Sequence, residues 1–388
     1  MSATWRCTAR VPPAARWVEP GSGDAPALVG GKHPDQDGVV SRMTSAVSPL
    51  LDLPDACPAP EGSRDSGVPW HYGDPHGEQR RLMRGEGWVD LSHRGVVTVT
   101  GPDRLSWLHS LTTQHVEHLA AGESALDLIL SPHGHVEHEL HLVDDGATTW
   151  ITVEPDEADT LVPYLEKMRF MLRVEVADVS SDYAVVGEPI AMRHHDFPTY
   201  VIAPQFGELE AADAASKKYV PRRPDVWVGR EVIVPRSELT AYVEGRAGSG
   251  TWAWEAMRVA AGVPRLGYET DHRTIPQEVG WVPSAVHLEK GCYRGQETVA
   301  RVHNLGRAPR RLVQLHLDGS ASRTPVPGDP VLLDGREVGR LTSVALHAEL
   351  GPVALAVIKR SVAPDAVLTV GPAEAEPVAA SQEIVVTG

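Results

Sequence analysis

Cys292 is the residue of this chain best set for chemistry. It lies in Lys290-Gly291-Cys292-Tyr293-Arg294-Gly295-Gln296-Glu297, between two glycines and beside two cations, with an amide and a carboxylate following. Glycine lets the backbone turn sharply and approach a ligand closely. Lys290 and Arg294 would favour the thiolate, the nucleophilic form, over the thiol. Gln296-Glu297-Thr298-Val299-Ala300-Arg301 could open a helix after Gly295, whose N-terminal dipole would favour the thiolate further. The competing reading is a buried cysteine in a tight turn.

The histidines invite a metal hypothesis. His135, His138 and His141 are three apart, with His133 nearby. On a strand, residues three apart point to opposite faces, and Pro132 and Gly134 oppose a helix. His115 and His118 could share a face but show no obvious third ligand. No stable metal is therefore expected. The chain has no Gly-x-Gly-x-x-Gly run after a strand, no P-loop and no Gly-x-Ser-x-Gly elbow. Trp252, Trp254 and Trp281 fall near the cysteine motif, either as core or as walls of a slot for a fused heterocycle. Lys217, Lys218, Arg222 and Arg223 read as a solvated basic loop.

Composition narrows the classes. The 388 residues carry a formal net charge of -16, which argues against a nucleic-acid partner held by phosphate contacts. The three cysteines, Cys7, Cys57 and Cys292, are too dispersed for a zinc cage or a disulfide framework, which suits a reducing cytoplasm. No apolar run is long enough to span a bilayer, and the start lacks an export pattern. The length exceeds one core and implies two or three domains.

The elements that must position Cys292 follow from periodicity and punctuation. Residues 1–68 are rich in Pro, Gly, Ala, Ser and Asp, and read as a poorly ordered extension, with Met43 an alternative start. In 69–185, Gly95–Thr100 reads as a strand and Gly101-Pro102-Asp103 starts a helix with stripe Leu105, Leu108 and Leu111. Strands follow at Ala125–Leu130, Val136–Val143 and Thr148–Val153, then a helix with Leu161, Leu165 and Met168, then a strand at Leu172–Val176. This is α+β grammar, helices on one face of a mainly antiparallel sheet. In 186–308, short strands at Val226–Val228 and Val232–Val234 precede a helix capped by Thr251 and ended by Gly262 and Pro264. In 309–388, strands at Leu312–Leu317, Val331–Leu333, Val338–Ala345, Val353–Ile358 and Ala366–Val370 read as a small all-β barrel or sandwich.

Three stretches carry a family resemblance: Ala253 to Arg265, Ile275-Pro276-Gln277-Glu278, and Lys290 to Glu297 with Val299-Ala300-Arg301. Together they resemble the YgfZ branch of the glycine-cleavage T-protein family. Asp90-Leu91-Ser92-His93-Arg94-Gly95 and the helix after Gly101 resemble its N-terminal portion. The resemblance runs from about Trp70 to the C-terminus. It implies a three-domain fold with a C-terminal β-barrel, tetrahydrofolate or a derivative in a central cavity, and a role in assembling or repairing iron–sulfur clusters. His93, His115, Arg258 and Trp254 are then candidates to line the cavity. The motif residues Lys290, Gly291, Tyr293, Arg294, Gly295, Gln296 and Glu297 would bind ligand or shape the loop around a functional Cys292.

Two departures separate the chain from the aminomethyltransferase branch. Ungapped matching puts His115 at the transfer-site aspartate and Ala260 at the pterin-binding glutamate, and alanine cannot accept paired N–H donors. The expectation is a cytoplasmic, folate-binding accessory factor for iron–sulfur client proteins. The rivals are a folate-dependent one-carbon transferase and a non-catalytic docking module.

Overall fold

A computed structural model of the protein describes residues 47–60, 62–190, 197–202, 229–282, 284–304, 306–372 and 374–386. The basic loop of Lys217 to Arg223 and the strand expected at Val226–Val228 lie outside them.

The β-branched and leucine runs of the first unit form one antiparallel five-stranded sheet. Its order is Ser124–Leu130, Val136–Asp144, Thr148–Val153, Gly95–Thr100 and Glu175–Asp178. Helices Arg104–Leu111 and Ala158–Met168 bury Trp107, Leu108, Leu161 and Leu165 against Val97, Ile129, Leu140 and Ile151. The last strand begins three residues later than its alternation suggested. Phe170 takes a positive φ of 48°, and the Asp103 carboxylate accepts from both the backbone N–H and the guanidinium of Arg173. That clasp keeps 170–173 out of the sheet and leaves Leu172 exposed.

A second five-stranded sheet joins Thr199–Val201, Gly229–Pro235, Tyr183–Pro189, Trp88–Asp90 and Gly248–Ser249, antiparallel except at the last pair. Trp88–Asp90, from early in the chain, pairs here with Tyr183–Pro189, so the pairing crosses the boundary placed at 185. The helix Thr251–Ala260 lays Ala253, Trp254 and Met257 on this sheet, and Ala256 and Val259 on the barrel. Thr251 does not cap it: Gly250 takes the N-cap position, and a Cβ there would lie 2.1 Å from the Trp70 carbonyl oxygen. Gly262 ends the helix at φ 68°, as its position beyond the last apolar residue foretold.

The C-terminal unit is a closed six-stranded barrel: Arg310–Leu317, Gly351–Lys359, Arg336–His347, Pro330–Leu333, Leu368–Val370 and Val378–Ile384. The expected strands are present. The closing strand, Val378–Ile384, was not foreseen; only its inward Val378 and Ala380 are apolar and buried.

The N-terminal expectation needs correction. Order extends back at least to residue 47 rather than starting near 69. Leu50 is fully buried beside Trp88 and Val186, and Ser48 donates a hydrogen bond to Asp90. Composition signalled disorder because these residues find their partners far along the chain, where no local pattern records them. Among the described residues Cys57 is disulfide-bonded and Cys292 is free. No described helix is long and apolar enough to cross a membrane.

Candidate functional site

The helix expected after Gly295 forms at Gln296–Asn304. Gly295 has φ 82°, and a Cβ added there would meet the Ser131 carbonyl oxygen at 2.5 Å. A Cβ added at Gly134 would meet Thr298 Cβ at 2.7 Å, so the 131–134 turn and the helix start interlock. Gly291 faces open space. Between them Cys292 is exposed and free, which removes the buried-cysteine reading. Tyr293 turns inward against Leu128, Trp281 and Val299, and burial pushes its phenol up to about 12. Gln296 is half-buried and Glu297 exposed.

The two cations expected to act on the thiol are bonded elsewhere. Lys290 is buried, and its Nζ donates to the carbonyls of His109 (2.5 Å), Thr112 (2.7 Å) and Gln114 (2.8 Å). Burial pushes its ammonium down to about 8, against the pull of Asp127 and Glu117. Arg294 donates to Glu137 at 2.8 Å. Lys290 is thus a clamp between the motif loop and the segment that begins at the end of helix Arg104–Leu111.

More bonds hold the same seam. His287 N–H donates to the Thr113 carbonyl at 3.0 Å, Thr113 Oγ1 to the Ala285 carbonyl at 2.6 Å, and Gln114 Nε2 to the Ser284 carbonyl at 3.0 Å. Beneath them Asp127 is fully buried and accepts from the N–H groups of Gln114 and Leu128, while its Oδ2 has no hydrogen-bond partner among the described residues. Burial lifts its carboxyl to about 6. His115 stands exposed on this seam. Its ring centroid is 4.6 Å from that of His109, 5.3 Å from His287 and 5.9 Å from His118. The structure therefore brings His115 to the motif loop. It also supplies neighbours, His109, Glu117 and His287, that sequence spacing did not connect. The strand argument about the other histidines holds: His138 faces Glu157 and His141 faces Glu231.

The other three cavity candidates lie elsewhere, in and beside a buried ionic network. His93 Nε2 is 3.0 Å from Asp65, with its Nδ1 buried and unbonded among the described residues. Asp65 accepts from Arg265 at 2.7 Å; Arg265 also reaches Glu154 at 2.8 Å and Glu255 at 3.1 Å. Arg94 lies between Glu154 and Glu231, and Glu231 holds His141 at 3.0 Å. Arg258 spends its donors on Glu255, Glu269, Ser343 and the Val263 carbonyl. Trp254 packs as core against Gly187 and Leu91, and Trp281 is fully buried, which favours core over slot for both.

Charge is balanced within this network by proximity. Burial opposes ionisation of Glu231, yet Arg94 and His141 hold its carboxyl well below the usual range. Burial likewise opposes a charged His141, but Glu231 and Glu139 outweigh it and hold the imidazole up at about 9. His141 also stacks on Tyr200, centroids 4.3 Å apart and planes 14° apart. The one local signal for these residues was a charge inside an apolar strand, as Glu231 sits beside Val232-Ile233-Val234.

Comparison with known proteins agrees with this architecture. Residues 68–187 match the GCVT N-terminal domain, and 310–383 match the glycine cleavage T-protein C-terminal barrel domain; together these are half of the chain. A putative chloroplastic transferase of Arabidopsis thaliana is 28% identical over 66% of this chain and 61% of its own length. An aminomethyltransferase of Moorella thermoacetica is 26% identical over 75% of this chain and 83% of its own. The crystal structure of the glycine cleavage system aminomethyltransferase T from Bartonella henselae superposes with a TM-score of 0.68 at 18% identity, covering 86% of this chain and 94% of that one. The match spans less than two thirds of the plant relative, whereas it covers most of the bacterial ones. With both terminal domains matched and the closed barrel in place, the chain belongs to the glycine cleavage T-protein family.

Proposed function

We propose that this protein is a tetrahydrofolate-binding accessory factor, of the YgfZ type, for assembly or repair of iron–sulfur clusters in client enzymes. The observation that carries the reading is the display of Cys292. It is a free, exposed thiol on a loop that Lys290 pins to the segment bearing His115. A thiol so presented, on a rigid base, suits contact with a client or its cluster rather than packing. The clients would be cytoplasmic iron–sulfur proteins or their assembly machinery.

Folate has residues to meet it. A pterin ring presents paired N–H donors that need acceptors, and Ala260 offers none. The buried carboxylates keep spare lone pairs beyond the partners they have, Leu266 and His141 for Glu139, Arg265 and Arg94 for Glu154. His93 Nδ1, without a hydrogen-bond partner among the described residues, lies in the same network. These groups would orient the ring, and bound folate would supply the one-carbon carrier chemistry.

A second reading, a folate-dependent aminomethyl or one-carbon transferase, is favoured by the similarity to aminomethyltransferases. His115 and Ala260, standing where carboxylates are expected, weigh against glycine-cleavage chemistry. Calorimetry with tetrahydrofolate should show micromolar binding, about -8 kcal/mol. Cys292→Ser should keep the melting temperature and folate affinity while failing to restore iron–sulfur enzyme activity in cells lacking the gene. Full complementation by that variant would remove Cys292 from the mechanism. Turnover of an aminomethyl-lipoyl donor on the order of 1 s⁻¹ would promote the transferase reading.

A further inference from the structure

Four histidines and a glutamate meet at the surface where the helix Arg104–Leu111 ends and the Cys292 loop begins. We propose that His109, His115 and Glu117 form a binding site for a first-row divalent transition-metal ion, with a coordination position left open. The proposal stands apart from the folate and iron–sulfur readings and needs neither.

Geometry is its first support. Each of the three residues offers a ligand atom, and those atoms lie within 4.8 Å of one another. Two nitrogen or oxygen ligands on a tetrahedral ion, at about 2.0–2.1 Å from it, sit about 3.3 Å apart. Closing that gap takes side-chain rotations of little more than an ångström, and His115 and Glu117 are exposed and able to make them. His287 and His118, with ring centroids 5.3 and 5.9 Å from that of His115, flank the site. Either can fill the remaining position in place of water.

The backbone beneath is prepared for the task. Lys290 holds the carbonyls of His109, Thr112 and Gln114 at once, which fixes the two ligand-bearing stretches relative to each other. A site built on such a support loses little entropy when an ion binds. Ligand chemistry sets the class of ion. Two imidazoles and a single carboxylate suit zinc and its first-row neighbours, not magnesium or calcium, which need a cage of oxygens. His109 is the most enclosed of the three ligands. Its Nδ1 is buried without a hydrogen-bond partner among the described residues.

The test is zinc binding to the untagged full chain, followed by calorimetry, with magnesium as control. One equivalent of Zn²⁺ should bind with a Kd on the order of micromolar, and millimolar Mg²⁺ should not compete. His115→Ala and Glu117→Gln, both at exposed positions, should each weaken binding at least tenfold. His133→Ala, an exposed histidine outside the site, should leave it unchanged. Circular dichroism and melting temperature of the variants separate lost ligands from lost fold. Equal affinity in wild type, His115→Ala and Glu117→Gln, or no saturable binding at about 100 μM Zn²⁺, overturns the proposal.

Discussion

Lys290→Met separates a clamp from a thiol activator. Methionine keeps the stem's length and apolar contacts but removes all three donors. The carbonyls of His109, Thr112 and Gln114, now 2.5, 2.7 and 2.8 Å from Nζ, would lose their shared partner. Hydrogen bonds to a charged group contribute about 1.5–3 kcal/mol each in isolation. Desolvating the ammonium, which already pulls it down to about 8, offsets much of that. A net loss of about 3 kcal/mol is expected, since the part-buried His109 and Gln114 carbonyls regain some water while that of buried Thr112 does not. At about 2 °C per kcal/mol for a chain of this size, the melting temperature should fall by about 6 °C. The assay is urea unfolding with scanning calorimetry, and hydrogen exchange at residues 109–114 should rise in the variant. A loss below about 1 kcal/mol, together with slower reaction of Cys292 with a thiol reagent, would refute the clamp and restore the activating role.

Gly295→Ala should be strongly destabilising, by about 2–4 kcal/mol, because φ 82° and the Ser131 carbonyl at 2.5 Å both oppose a Cβ. Gly291→Ala, with nothing within 4 Å, should stay within about 0.5 kcal/mol, and denaturant midpoints of the pair will show whether the motif's glycines differ in this way. For pH, His141 is held at about 9 against an ordinary value of 6.5, so folding favours its protonated form. Its contribution is fully present below pH 6.5 and is lost as pH rises through about 9. Unfolding at stepped pH should show this alkaline decline, and Glu231→Gln should flatten it; an unchanged profile in that variant would refute the pairing.

Chemistry confined to a few consecutive residues was legible without coordinates. Periods of two and of 3.6, broken by glycine and proline, located the strands of the first sheet, five barrel strands and the helix after Gly295. The turn at Ser131–Gly134 belongs to the same local grammar, whereas the fold decided the exposure of Cys292 against the buried alternative. Tertiary structure decided what those pieces meet. Lys290 looked like a neighbour of Cys292, yet its partners lie 176 to 181 residues away. Asp65, in a stretch whose composition signalled disorder, turned out to bond Arg265, and the network continues through Arg258 and Glu269 to Ser343 in the barrel. His115 stood alone in the sequence because His109 comes from a helix end and His287 from a distant loop. Hydrophobic periodicity is written along the chain, since each residue's face depends on its neighbours in sequence. Charge pairing depends on distance through space, and a low-dielectric interior makes that distance decisive.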